Sequence, residues 1–252
     1  MNTFDALKQL SATSDTLTEE QRRDLDEKGY FIAYDVFSQE EYEAIGAAID
    51  ALQAVEGEMG GQEVHTEAGA PRLSNVLNKS TAFDPCLEIQ PLLASASYLL
   101  GDEIKVHGFN ARDALKGQGQ QPLHSDAPTH EANDWHVVNS LILIDPFTED
   151  NGPTRVVPGT HRTGQRPQDL LEDPKSPYPD EIKVVAPAGA VVVLNASLWH
   201  GGTLNVSGDR RRVLHLSYTR RDLAQQLVQR DFLTDELYER MSDAHRYLLD
   251  IV

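Results

Sequence analysis

The spacing of apolar residues divides the chain into a helical first part, a strand-rich middle and a helical tail. Thr18 to Gln21 form a capping box, in which the Thr18 hydroxyl accepts from an orphan helix amide and Gln21 reaches back. The helix it opens should end near Gly29, a residue suited to a left-handed C-terminal position. Positions 30–34 read as a short strand. A second capping box at Ser38 and Glu41 opens a helix to about 55, with Tyr42, Ile45, Ile49 and Leu52 on one face. Segment 56–71 is rich in glycine and acids and predicts a mobile loop. Segment 86–100 predicts another helix, stopped by Gly101. From 104 onward short apolar or alternating runs follow one another at 104–110, 136–144, 154–157, 182–186, 190–195 and 212–219. Gly, Pro, Asn and Asp separate them, with no helix-length periodic segment between, which favours a sandwich or barrel over a parallel wound sheet. The tail, 234–249, returns to helical spacing. The expected fold is mainly β with flanking helices around an antiparallel, jelly-roll-like double sheet. A single domain is expected, with 1–103 mainly helical, 104–221 the core and 222–252 a C-terminal helix.

Composition narrows the function classes. With 252 residues, 40% of them hydrophobic, the chain can build a packed core. Its 22 Lys and Arg against 40 Asp and Glu give a net charge of -18. Such a surface repels phosphate backbones and anionic membranes, so neither nucleic acid nor membrane is an expected partner. No apolar run approaches spanning length, and the opening residues MNTFD lack a basic-then-apolar signal. Cys86 stands alone, so neither an intrachain disulfide nor a cysteine-rich zinc site can form. The expectation is a cytoplasmic protein, monomeric or a small homo-oligomer, acting on a small molecule. The charge is unevenly spread: residues 1–60 hold 4 basic and 14 acidic side chains, whereas 205–221 hold 5 Arg and 1 Asp. Acidity therefore excludes anionic polymers without excluding a small anion.

The chemistry concentrates in three places. His124-x-Asp126 puts an imidazole and a carboxylate on one side of an extended chain. That is two-thirds of a 2-His-1-carboxylate facial triad, which holds Fe(II) and leaves positions open. Among nine histidines one such pair is unsurprising, and a solvated turn is the plain alternative. His200 is the natural third ligand, following an apolar strand at 191–194 and preceding Gly201 and Gly202, which permit close approach. Its plain alternative is a strand-end histidine bonded to a carbonyl. Around Arg210 to Tyr218, alternation puts Arg211, Val213, His215 and Ser217 on one face and Arg212, Leu214, Leu216 and Tyr218 on the other. An inward arginine needs an anionic partner, and a dicarboxylate ligand would supply one through a bidentate fork.

Four stretches, in order, resemble the phytanoyl-CoA dioxygenase family. They are 25–37 (LDEKGYFIAYDVF), 122–128 (PLHSDAP), 145–161 (DPFTEDNGPTRVVPGTH) and 187–211 (PAGAVVVLNASLWHGGTLNVSGDRR). In the last, Asn205 and Arg211 follow His200 by five and eleven residues, as in the family. The resemblance implies a double-stranded β-helix (jelly-roll, cupin-like) and an Fe(II)/2-oxoglutarate-dependent oxygenase that consumes O2 and releases succinate and CO2. It implies His124, Asp126 and His200 as the catalytic iron ligands, Arg211 as the partner of the cosubstrate's distal carboxylate, and Gln121 and Thr154 as further cosubstrate contacts. A carboxylate at 126 argues for oxygenation, by default hydroxylation, over halogenation.

Substrate recognition is expected on 56–80, on Asn110 and Arg112, and on 129–135 ending at Trp135. The substrate is expected to be a small metabolite, an amino acid or a natural-product intermediate. His107, His130, His136 and His161 are expected to be structural or exposed. Two alternatives stay open. The same His/Asp/His set could hold zinc in a cupin-like hydrolase or isomerase, which leaves Arg211 without a role. A non-catalytic jelly-roll binding module is the other, against which the intact ligand set counts.

Overall fold

The computed structural model describes residues 1–13, 15–126 and 131–252. Its elements are α1 (Thr3–Gln9), α2 (Glu19–Glu27), β1 (Tyr30–Ala33), α3 (Gln39–Glu56), β2 (Arg72–Leu73), α4 (Gln90–Leu100), β3 (Ile104–Asp113), β4 (Val137–Leu143), β5 (Thr154–Val157), α5 (Pro167–Leu170), β6 (Ile182–Lys183), β7 (Val191–Asn195), β8 (Trp199–Gly202), β9 (Arg212–Arg220), α6 (Asp235–Arg240) and α7 (Asp243–Leu249). Both capping boxes form. Thr18 Oγ1 accepts from the Gln21 amide at 3.1 Å while Gln21 Oε1 accepts from the Thr18 amide at 3.0 Å. Ser38 and Glu41 do the same for α3.

Four local expectations change. The helix expected from 86 begins at Gln90, because Pro91 sits in its first turn, where a missing amide costs nothing; Cys86 lies in a preceding 3-10 stretch. The tail is two helices, since Ser242 caps a new start after Met241. Helix α1, capped by Asn2, was not foreseen. Segment 56–71 is irregular but tied down. Lys79 bridges Glu56 at 2.8 Å and Glu63 at 2.6 Å, and Glu67 binds two arginines.

The strands form two sheets, six-stranded β1-β7-β4-β9-β3-β2 and three-stranded β6-β5-β8, with every pair antiparallel. Period-two alternation divides the large sheet. Val191, Val193, Leu214, Leu216 and Tyr218 join the helices in one apolar cluster, with α4 lying across β4, β7 and β9. Val192, Leu194 and Val213 turn the other way, into a second cluster with Val156 of the small sheet. Two facing antiparallel sheets with helices outside make the expected double-stranded β-helix.

Strand β8 was hidden by its glycines. A Cβ on Gly201 would lie 2.7 Å from the Pro122 oxygen, and one on Gly202 would lie 2.8 Å from the Gly119 oxygen. Both glycines let the 119–124 segment rest on β8. No helix among the described residues is long and apolar enough to cross a membrane.

Candidate active site

That close approach brings together the first two candidate ligands. The His124 amide donates to the His200 oxygen and the His200 amide to the His124 oxygen, each at 2.9 Å. Two residues on, the Asp126 amide donates to Ala196 at 2.8 Å. Each imidazole turns Nδ1 to a carbonyl, Pro122 for His124 and Leu198 for His200, both at 2.8 Å. A carbonyl only accepts, so Nδ1 carries a hydrogen, and in the neutral ring Nε2 presents its lone pair. Nε2 of His124 lies 3.5 Å from Asp126 Oδ1, and Nε2 of His200 lies 3.4 Å from Oδ2. Neighbouring ligands ~2.1 Å from one octahedral ion stand about 3 Å apart, so a small closing movement fits this triad to a divalent metal. Asn139 Nδ2 donates to Asp126 Oδ2 at 2.8 Å and fixes the carboxylate's rotation.

The charges suit a cation. Burial works against ionised Asp126, but the imidazoles of His200, His124 and His215 outweigh it and hold its carboxyl well below the usual range. Its side chain is 45% exposed, and that exposure opens onto the cavity beside the triad. Burial also works against charge on His200, where the Asp126 carboxylate wins and the net direction is upward. On His124 burial and the neighbouring His200 push downward.

The cavity measures about 340 Å³ and is lined by the triad together with Gln121, Thr154 and Arg211. Arg211 is 1% exposed. Its Nη2 donates to Thr154 Oγ1 at 3.0 Å, and its guanidinium lies 4.3 Å from the centre of the Phe147 ring. Its Nε and Nη1 have no hydrogen-bond partner among the described residues. Burial and the nearby Arg112 push its pKa well down, the mark of a cation held without a counter-ion. Gln121 accepts from the Gly202 amide at 3.1 Å through Oε1, leaving its NH2 end for a ligand. A larger groove of about 980 Å³ runs beside β1, but no imidazole lines it.

The expected substrate residues divide. Asn110 reaches the cavity and donates to Gln226 Oε1 at 2.7 Å. Arg112 also lines it, but its fork is occupied: Nε and Nη2 bind Glu67 at 2.9 and 2.5 Å, and Nη2 also binds the Gly119 oxygen at 2.9 Å. Trp135 is a correction. It packs, partly buried, against the helix-side apolar cluster, 6.0 Å from the His161 ring, and is not among the residues lining the cavity. Thr129 and His130 lie outside the described residues. His136 and His161 are buried on Asp134 and on the Asp26 oxygen, as structural histidines. His107 lines the cavity with Nδ1 on the Ala224 oxygen. Arg72, Asn139 and His215 were missed as site residues. For His215 the signal existed, since it alternates with Arg211; Asn139 likewise stands between Val137 and Leu141 on an inward face.

Glu67 binds Arg72 as well, at 2.6 Å. Burial raises its pKa, but the bonds and charge of Arg112, then of Arg72, outweigh this and hold the carboxyl at about 2 against an ordinary 4.5. A depressed carboxyl stabilises the fold above the unfolded pKa, and that contribution is lost as pH falls through the folded one. Glu67→Gln should therefore cost about 3 kcal/mol above pH 5, by the size of that shift. In urea unfolding of both proteins across pH, the difference should shrink from 4.5 towards 2. A difference independent of pH would sink the ion-pair account.

Comparison with known proteins agrees with this fold. The family model described as phytanoyl-CoA dioxygenase matches residues 25–213. An ectoine dioxygenase from Sphingopyxis alaskensis is 28% identical over 77% of this chain and 72% of its own length. The structure of EctD from S. alaskensis with bound Fe superposes with a TM-score of 0.67 at 20% identity, covering 85% of this chain and 82% of that one. HygX from Streptomyces hygroscopicus with nickel and 2-oxoglutarate bound gives 0.66 at 16% identity, covering 83% and 89%.

Proposed function

This chain belongs to the phytanoyl-CoA dioxygenase family, and on that premise we propose how its residues serve an Fe(II)- and 2-oxoglutarate-dependent hydroxylase acting on a small metabolite. His124, Asp126 and His200 hold Fe(II). Arg211, with Thr154 and the amide of Gln121, holds the distal carboxylate of 2-oxoglutarate. When bound, iron and cosubstrate supply the oxidising power, with O2 consumed, 2-oxoglutarate split to succinate and CO2, and one oxygen delivered to a substrate C–H.

The protein's part is placement. Carbonyls 122 and 198 fix both imidazoles in the tautomer that ligates. Asn139 holds Asp126 by one oxygen, leaving the other for the metal. A carboxylate at this position fits oxygen transfer better than halogenation. The whole chain serves as one catalytic unit, cytoplasmic and monomeric or in a small homo-oligomer, without nucleic acid.

The observation that carries this reading is Arg211: a buried guanidinium with two unpartnered nitrogens, lining the same cavity as a complete ligand triad. A zinc hydrolase would leave it unexplained. Anaerobic addition of Fe(II) and 2-oxoglutarate should produce a weak visible charge-transfer band. Both binding without that band would exclude chelation of the cosubstrate at iron.

A further inference from the structure

Counted over its lining side chains and their direct ion partners, the cavity holds one positive charge more than the proposed chemistry uses. Arg72, Arg112 and Arg211 bring three cations to it, and Asp126 and the backing Glu67 two anions. Asp113, which accepts from the Arg211 amide, lies outside the cavity lining in a network where Arg210 bridges it at 2.9 Å and Asp50 at 2.7 Å. Fe(II) and dianionic 2-oxoglutarate cancel each other, so the surplus persists in the loaded enzyme. It falls on Arg72. Arg112 takes both oxygens of Glu67, whereas Arg72 binds Glu67 through Nη1 alone, and its Nε and Nη2 have no hydrogen bond among the described residues. The Arg72 side chain is 10% exposed and lines the cavity. Glu67 answers its Nη1, and the two remaining donors face the cavity ready to take an anion through a fork.

The same wall carries two more unanswered groups. Asn110 and His215 face each other across β3 and β9. Asn110 Oδ1 and His215 Nε2 are buried without a partner, and Asn110 is 4% exposed. Strand β2 sets Arg72 beside Arg112 at the sheet edge, two residues along β3 from Asn110.

We propose that Arg72, Asn110 and His215 form the substrate subsite, which takes a small organic acid by its carboxylate on Arg72 and by a nearby N–H or O–H on Asn110 Oδ1. This deepens the oxygenase reading and rests on it. A volume of about 340 Å³, shared with the cosubstrate, admits an acid of amino-acid size and not a coenzyme A ester.

The test uses full-length protein loaded with Zn(II) and 2-oxoglutarate, and measures thermal shifts with acetate, L-lactate and L-proline, each beside its amide. At least one acid should raise Tm where its amide does not. Arg72→Gln should weaken that acid's binding at least about tenfold, and Arg72→Lys should restore part of it. Acids and amides acting alike, no acid acting at all, or binding unchanged in Arg72→Gln would each overturn the proposal. The shift caused by 2-oxoglutarate alone separates the two readings. Its absence in wild-type protein counts against the cosubstrate site, whereas its presence with flat acid responses counts against Arg72 alone.

Discussion

His200→Ala should abolish 2-oxoglutarate-dependent succinate formation and lower Fe(II) affinity by more than about 100-fold, because groups that merely orient a metal ligand are already worth 10–100-fold. The expectation rests on separating side chain from backbone. The bridge that joins His124 to His200 is made by amides and carbonyls, which alanine keeps. What leaves is Nε2, 3.4 Å from Asp126 Oδ2, and the Nδ1 bond to Leu198. The fold should therefore survive while the triad loses one corner. Iron content after dialysis, with circular dichroism as the check on folding, measures both sides. A folded variant that retains stoichiometric iron and wild-type succinate formation would remove His200 from the site.

Arg211→Met should move stability and cosubstrate binding in opposite directions. The buried guanidinium has two unpartnered nitrogens and only the Thr154 hydroxyl and the Phe147 face for company. Replacing a poorly compensated buried charge with an apolar side chain of similar size commonly stabilises by about 1–4 kcal/mol. The cosubstrate-free variant should gain about 1–2 kcal/mol in urea unfolding, allowing for the lost Thr154 bond. Binding of 2-oxoglutarate loses its charge partner, a loss of about 2–5 kcal/mol, which is at least about 30-fold in the concentration required. A simple packing role predicts the reverse pattern, with stability lost and the 2-oxoglutarate requirement unchanged. Measuring both quantities on one variant decides between them.

The elements read most directly were those specified by neighbours in the chain. Both capping boxes lie within four residues, and each formed. Alternation along 211–218 sorted inward from outward side chains, and the structure places Arg211, His215 and Ser217 on the cavity and Leu214, Leu216 and Tyr218 under the helices. Errors fell where a local pattern met a tertiary demand. Gly201 and Gly202 concealed β8, because their use is to let another segment approach. Trp135 stood beside the metal segment in sequence, yet its ring went to the larger apolar cluster.

By itself the sequence determined which residue types could do the chemistry and, through periods of two and 3.6, which face each would occupy. His-x-Asp, the histidine before two glycines and the inward arginine were all legible in that way. Only the tertiary structure decided partners. It brought His200 onto His124, set Asn139 against Asp126, gave both oxygens of Glu67 to Arg112 and left Arg72 half satisfied. Periodicity assigns a direction to each side chain, but a charge is neutralised by whatever lies a few ångströms away, and strand register and loop closure between distant segments settle what that is.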